Sequence, residues 1–262
     1  MCLQKRGKTV ARKIVITSGK GGVGKSTICL NLGIQLARNN ARVVMLDVDV
    51  GLNNLDIVAG IENRVAYDLI DVLEGRVCVE QALVVDQDFL DLYYLPTCHT
   101  YNTGRVSVEN LQNITNELSG SFDYILLDCP AGIDFGFHRA VFCASEALIV
   151  TTPHLTSVKD ADKVATLLCN YNLDSVGLVV NKTDEHLVLS LRKKLLSPQN
   201  ISKALGLPLM GNIPESKVLS YQSSLEGRAY VMDKKLNNAF LQLANNVFYG
   251  NAIQQKISNR GE

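Results

Sequence analysis

Apolar residues in this chain gather in short unbroken runs rather than alternating with polar ones. The runs are Ile14-Val-Ile16, Val43-Val-Met-Leu46, Tyr124-Ile-Leu-Leu127, Ala147-Leu-Ile-Val150, Val176-Gly-Leu-Val-Val180 and Leu207-Pro-Leu-Met210. Runs of this length without alternation predict strands covered on both faces. Between them, Thr27 to Arg38 and Ala161 to Tyr171 carry helical spacing. The order β-α-β-α predicts an α/β fold, with a mostly parallel, twisted sheet flanked by helices on both faces. In such a sheet ligands bind at the carboxyl ends of the strands, and the residues of chemical interest fall there.

After the first run comes Gly19-Lys20-Gly21-Gly22-Val23-Gly24-Lys25-Ser26, followed by Thr27, which satisfies G-x-x-x-x-G-K-[ST] between a strand and a helix. Glycines let backbone N–H groups curl around phosphate oxygens, and the positive end of the following helix adds attraction. Lys25 is then placed for the β- and γ-phosphates and the Ser26 hydroxyl for Mg²⁺. The fold expected is a single P-loop NTPase domain binding ATP with Mg²⁺. Lys20 is a second lysine within the loop, where phosphate binding needs only one.

Asp47 and Asp49 follow the second strand. If that strand ran on through both, they would share one face and suit joint action on a metal ion or its water. Asp128 closes the run Tyr124 to Leu127, as a Mg²⁺-water ligand of a phosphate-loop protein does. Taken singly, each aspartate also fits a turn or a helix cap. Asn181 closes the run Val176 to Val180, where a side-chain amide offers a base both donor and acceptor or simply turns the chain. Pro214 and Glu215 follow the last strand, in a segment that also reads as a rigid loop.

The 262 residues contain no linker, repeat or low-complexity run, which favours one domain. We divide the chain into a basic extension at 1–10, the nucleotide-binding domain at 11–249 and a tail at 250–262. Lys plus Arg and Asp plus Glu balance at 26 each, so net charge gives no argument for a nucleic-acid partner, and none is expected. Seven scattered cysteines without CxxC or zinc spacing fit reduced thiols in a cytoplasmic protein. No segment approaches the ~18 uninterrupted apolar residues of a membrane span.

Taken together, the stretches "TSGKGGVGKST", "DVDVGLNNLDIVAGIENRVAYDLIDVLEG", "FDYILLDCPAGID", "VTTPHLTSVKDADKV", "VVNKTD" and "ALGLPLMGNIPES" resemble the MinD-type cell-division ATPases. These belong to the wider MinD/ParA group of deviant Walker A proteins. The likeness runs from about Ala11 to Phe248. It implies an ATPase that dimerises face to face around two ATP molecules, with Lys20 crossing to the partner's phosphates, much as an arginine finger does. By the same resemblance Asp49 positions or polarises the attacking water, and Asp47 supports Mg²⁺ or its water shell. Asp128 holds Mg²⁺ through water, Asn181 reads adenine, Pro214 and Glu215 flank the base, and Asp128 to Ile133 act as a switch. The partners it implies are a division-inhibitor protein and an activating or topological protein, with peripheral association at the inner face of the cell membrane.

Some residues depart from the family pattern. Asn53 stands where many relatives carry arginine and His154 where an acidic residue is usual, both near where partners would act. Phe240, Leu241, Leu243, Ala244, Val247 and Phe248 form a helical apolar stripe, read as the last core-packing helix and expected to stop at Gly250. Beyond it only Ile253 and Ile257, with Lys256 and Arg260, resemble a membrane-surface helix, which predicts membrane contact that is weak, partner-dependent or absent. The competing functions are a flagellar-number regulator or chromosome- or plasmid-positioning protein of the same ATPase group, and a nucleotide-gated scaffold with little turnover.

Overall fold

The computed structural model of the protein describes residues 10–49, 55–97, 106–184, 196–219, 228–229 and 233–258, with side chains as far as Gly250. Asn53, most of the basic extension and the side chains of Ile253, Lys256, Ile257 and Arg260 lie outside the described residues.

Five of the six apolar runs form the centre of one eight-stranded sheet, and the sixth, Leu207 to Met210, leads into its edge strand Leu209–Pro214. Its strands are β1 (Arg12–Thr17), β2 (Val43–Asp47), β3 (Val84–Val85), β4 (Leu92–Leu95), β5 (Tyr124–Asp128), β6 (Glu146–Thr151), β7 (Ser175–Thr183) and β8 (Leu209–Pro214). Across the sheet they lie in the order β3-β4-β2-β5-β1-β6-β7-β8, and every pair is parallel except β3 with β4. Parallel neighbours need crossover connections, which here are mostly helical. Among the described residues the helices are α1 (Lys25–Arg38), α2 (Leu55–Ala59), α3 (Leu69–Leu73), α4 (Val79–Ala82), α5 (Val108–Leu118), α6 (Phe135–Phe142), α7 (Leu155–Leu168), α8 (Pro198–Leu205) and α9 (Lys234–Ser258), the last of which follows the final strand.

The strand period of two explains why the runs are unbroken. On β1, Val15 faces one core while Ile14 and Ile16 face the other; on β2, Val44 and Leu46 oppose Val43 and Met45. The first core is closed by α3 to α8, through residues such as Leu111, Phe137, Val164 and Ile201. The second is closed by α1, α2 and α9, through Ile28, Leu32, Leu55, Phe240 and Leu243. Both faces are therefore dry, and the site forms along the carboxyl edge.

Two expectations are corrected. Gly250 does not end the last helix, which continues to Ser258. One glycine costs a helix about 1 kcal/mol, and no proline follows to stop it. Within the stripe, Phe240, Leu243, Ala244 and Val247 are buried, whereas Leu241 and Phe248 are exposed, so four of its six residues pack. The helix beginning in the pattern at Ala161 also starts earlier, at Leu155, and ends at Leu168.

Candidate functional site

β1 ends at Thr17, and the chain arcs through Gly19 to Gly24 before α1 begins at Lys25. The Ser18 hydroxyl donates to the Lys20 carbonyl at 2.8 Å, closing the first part of the arc. Val23 is buried and pins the loop to the core, while Lys20, Gly21 and Gly22 are exposed. Gly24 sits at φ 97°, a left-handed conformation, and a Cβ there would lie 2.4 Å from Asn181 Nδ2. At the loop's other end, a Cβ on Gly19 would meet the Asp160 carbonyl oxygen of α7 at 2.5 Å. The first turn of α1 has neither a side-chain cap nor an acidic residue. Its unpaired N–H groups and the positive end of its dipole thus remain available to an anion.

Asp47 and Asp128 close β2 and β5 beside the loop, and they pair in register. The shared strand face expected for Asp47 and Asp49 does not form, because β2 ends at Asp47. Instead the Asp47 carboxylate accepts the Asp49 N–H at 2.9 Å through Oδ1 and the Leu55 N–H at 3.1 Å through Oδ2. It therefore braces the loop that carries Asp49. Burial raises the Asp47 pKa well above the carboxylate range, with the neighbouring Asp128 charge adding to it. Burial also raises Asp49, while Lys25 pulls it back, so Asp49 lies within the electrostatic reach of the loop lysine.

Asp128 is buried and pushed up to about 6 by desolvation, against the opposing pull of Ser26 and Lys25. Its Oδ1 atom is buried without a hydrogen-bond partner. An orphaned carboxylate oxygen is costly unless a cation or a bound water completes it. Next to the Ser26 hydroxyl and an anion cradle, this donor set fits Mg²⁺, which takes one or two protein oxygens and completes its shell with water and phosphate. Among the described residues no group of three or more His, Cys, Asp or Glu converges into a protein-only metal cage.

The segment after Asp128 is tied to the loop. The Cys129 N–H donates to the Ile16 carbonyl at 3.2 Å and the Gly132 N–H to the Ser18 carbonyl at 3.1 Å. A Cβ on Gly21 would stand 3.8 Å from the Ala131 Cβ. Nearby, Ile133, Phe135 and Leu155 are exposed apolar side chains, at the start of α6 and of α7.

On the other side of the loop, a cleft of about 230 Å³ is lined by Gly22, Gly24, Thr27, Asn181, Lys182, Pro214, Glu215 and Leu219. The fold thus brings the ends of β7 and β8 to the phosphate loop, and Asn181, Pro214 and Glu215 together, as the sequence reading expects. The Glu215 N–H donates to the Thr183 carbonyl at 2.9 Å, fixing the turn after β8. Asn181 Nδ2 donates to the Val23 carbonyl at 2.8 Å, which leaves its side-chain oxygen as the group free to meet a base. Lys182 lines this cleft too and was assigned no role from the sequence, because its part depends on a strand irregularity that no residue pattern announces. A larger cavity of about 310 Å³ lies at the opposite ends of β1, β6 and β7, beside α9. There Arg12 and Glu146 pair with each other and no anion-binding loop is present, so it does not compete as the site.

Residues 9–248 match the family model ParA, described as NUBPL iron-transfer P-loop NTPase. The chain is 43% identical over 224 residues to the septum site-determining protein MinD of Bacillus subtilis, spanning 85% of this chain and 82% of that one. It is 40% identical over 226 residues to MinD of Synechocystis, spanning 86% and 84% respectively. Among solved structures, it is similar to a chain of the MinC:MinD cell division protein complex of Aquifex aeolicus. That match has a TM-score of 0.81 and 39% identity, and covers 91% of this chain and 96% of the other. MinD of Pyrococcus horikoshii, complexed with Mg-ADP, matches with a TM-score of 0.79 and 32% identity, covering 90% and 96%.

Proposed function

The chain belongs to the ParA family of P-loop NTPases, in its MinD septum site-determining branch, and on that premise we propose that it is an ATP-dependent dimerising switch that helps place the division septum. The observation that carries this reading is the convergence of an uncapped helix N-terminus, the two loop lysines and the half-satisfied Asp128 on one edge of the sheet. Mg²⁺, when bound, neutralises charge on the β- and γ-phosphates. Ser26 and Asp128 would hold it, Asp128 through water, and Asp47 would support its water shell while bracing the loop that carries Asp49. The Asp49 carboxylate accepts a hydrogen bond from the attacking water and orients the water oxygen toward the γ-phosphorus. Lys25 stabilises the negative charge that develops on the phosphoryl oxygens. Asn181, Pro214 and Glu215 take the adenine.

Lys20 acts on the partner's phosphates, so turnover requires two copies. The exposure of Lys20 and of the apolar Ile133, Phe135 and Leu155 around the loop supports that reading, since a face of this kind is covered when a second copy arrives. The segment Asp128 to Ile133, joined to the loop by the Gly132 N–H and the Ser18 carbonyl, acts as a switch whose conformation follows the γ-phosphate, so that hydrolysis ends the dimer. The solved MinC:MinD complex of Aquifex aeolicus supports a division-inhibitor protein as a partner. Among the described residues no helix is long and apolar enough to cross a membrane, and contact with the inner membrane face is at most weak, peripheral and dependent on the dimer or a partner.

The test is phosphate release measured against protein concentration, alongside the oligomeric state with MgATP, with MgADP and without nucleotide. The expected result is a rate per molecule that rises with concentration and a dimer confined to MgATP. A constant rate per molecule would count against dimer-coupled hydrolysis.

A further inference from the structure

β7 does not end as a regular strand. Its pairing with β8 shifts register between Val180 and Thr183, and within that irregularity Lys182 takes φ 56°. A left-handed lysine is uncommon, and a non-glycine residue held there calls for a reason. Bulges of this kind re-aim side chains, and here both neighbouring side chains turn to the phosphate loop. Asn181 Nδ2 donates to the Val23 carbonyl at 2.8 Å and Lys182 Nζ to the Gly22 carbonyl at 2.9 Å. These are consecutive carbonyls of the anion cradle.

In a planar trans peptide the carbonyl and the next residue's N–H point to opposite sides. A Gly22 carbonyl drawn outward by Lys182 therefore turns the Val23 N–H inward, and a Val23 carbonyl drawn outward by Asn181 does the same for the Gly24 N–H. We propose that Lys182 is a positioning residue: from the irregular end of β7 it works with Asn181 to hold two successive loop N–H groups toward the phosphates. The inference rests on the reading of the loop as a nucleotide site. It assigns Lys182 to phosphate affinity rather than to base recognition, although its side chain borders the base cleft.

Lys182→Met keeps the side-chain stem and removes the donor, and Lys182→Gly also removes the left-handed strain. Titration calorimetry with MgADP and with magnesium inosine diphosphate separates the two roles. Both variants are expected to bind MgADP about tenfold more weakly than the natural protein, in line with one lost charge-assisted hydrogen bond. They should lose the same factor toward inosine diphosphate, and Lys182→Arg should recover most of it. The nucleotide-free thermal midpoint is expected to fall slightly for Lys182→Met, which loses only an exposed bond, and to be higher for Lys182→Gly than for Lys182→Met, because glycine also relieves the left-handed strain. Natural affinity for MgADP in both variants, or a loss confined to the adenine nucleotide, would overturn the inference. Failure of the natural protein itself to bind MgADP would instead remove the nucleotide reading, and this inference with it.

Discussion

Asp47 and Asp128 stand side by side in register at the carboxyl ends of β2 and β5, and burial raises the pKa of both. Two buried carboxyls this close suit a site that receives a cation. Without one they are a liability, because each disfavours the ionised form of the other.

The stability of the nucleotide-free protein should carry this signature. A carboxyl raised in the folded state binds its proton more tightly folded than unfolded, so it favours folding below its ordinary value near 4. For Asp128 that contribution is lost as pH rises through about 6. Asp128→Asn, which cannot ionise, is therefore expected to gain stability relative to the natural protein as pH rises from 4.5 to 7. Thermal melts of the two proteins across that range, without nucleotide, measure the difference.

The two loop lysines should fail differently. Lys25 opens α1 within electrostatic reach of Asp49 and Asp128, so Lys25→Ala is expected to weaken binding of ADP and ATP alike, by about 100-fold for the loss of a charged donor. Lys20 lies exposed on the arc. Lys20→Ala should keep much of the monomer's nucleotide affinity while losing the MgATP dimer, and with it turnover, by 100-fold or more on the order typical of a transition-state donor. Calorimetry and light scattering on both variants check this, and equal loss of ATP affinity would refute the separate roles.

Gly24 is irreplaceable on two counts. Its φ of 97° strains any other residue, and an added Cβ would collide with the Asn181 amide that bonds Val23. Gly24→Ala is expected to cost about 1–2 kcal/mol from the left-handed conformation alone. Nucleotide affinity should fall with it, because the Asn181 brace must move. Denaturant unfolding and ADP titration measure the two losses.

The phosphate loop, the acidic strand ends and the paired cores were legible because each follows from a local rule. Glycine spacing between strand and helix marks the loop, and unbroken apolar runs such as Tyr124 to Leu127 mark strands covered on both faces. β3 and β4 escaped notice because Val84–Val85 is only two residues and Leu92–Leu95 carries two tyrosines. The bracing role of Asp47 was hidden for another reason. It depends on where β2 stops and on a bond to Leu55, eight residues on. Lys182 was missed because a register shift between β7 and β8 leaves no trace in either strand's composition.

A second brace lies behind α1. Arg228 contacts Asp86 at 2.9 Å and Asp88 at 2.6 Å, and the buried Asp86 also accepts from the Tyr94 hydroxyl. The adjacent Ala229 N–H donates to the Val58 carbonyl of α2, while its carbonyl accepts from Asn31 of α1. Arg228→Ala strips Asp86 of its cation, although Tyr94 remains, and should destabilise the protein by about 2–3 kcal/mol. Tyr94→Phe should cost less, about 1 kcal/mol. Chemical denaturation of both variants at one pH orders the two effects.

Among its described side chains, the last helix has a packed stretch followed by two exposed aromatic residues. Phe240, Leu243, Ala244 and Val247 are buried, and Arg12 donates to the Val247 carbonyl at 2.6 Å while pairing with Glu146. Beyond that anchor, Phe248 and Tyr249 are exposed. Leu243→Ala should therefore destabilise by about 2–5 kcal/mol, whereas truncation after Gly250 should leave the melting temperature and ADP affinity nearly unchanged. Two isoleucines bury a few kcal/mol per copy at about 25 cal/mol per Å², too little for lasting attachment by a monomer, while a dimer gains from presenting two copies. Vesicle sedimentation with anionic lipid should accordingly detect weak binding with MgATP, less with MgADP, and none after the truncation. Tight binding by the nucleotide-free protein would refute this account of the tail.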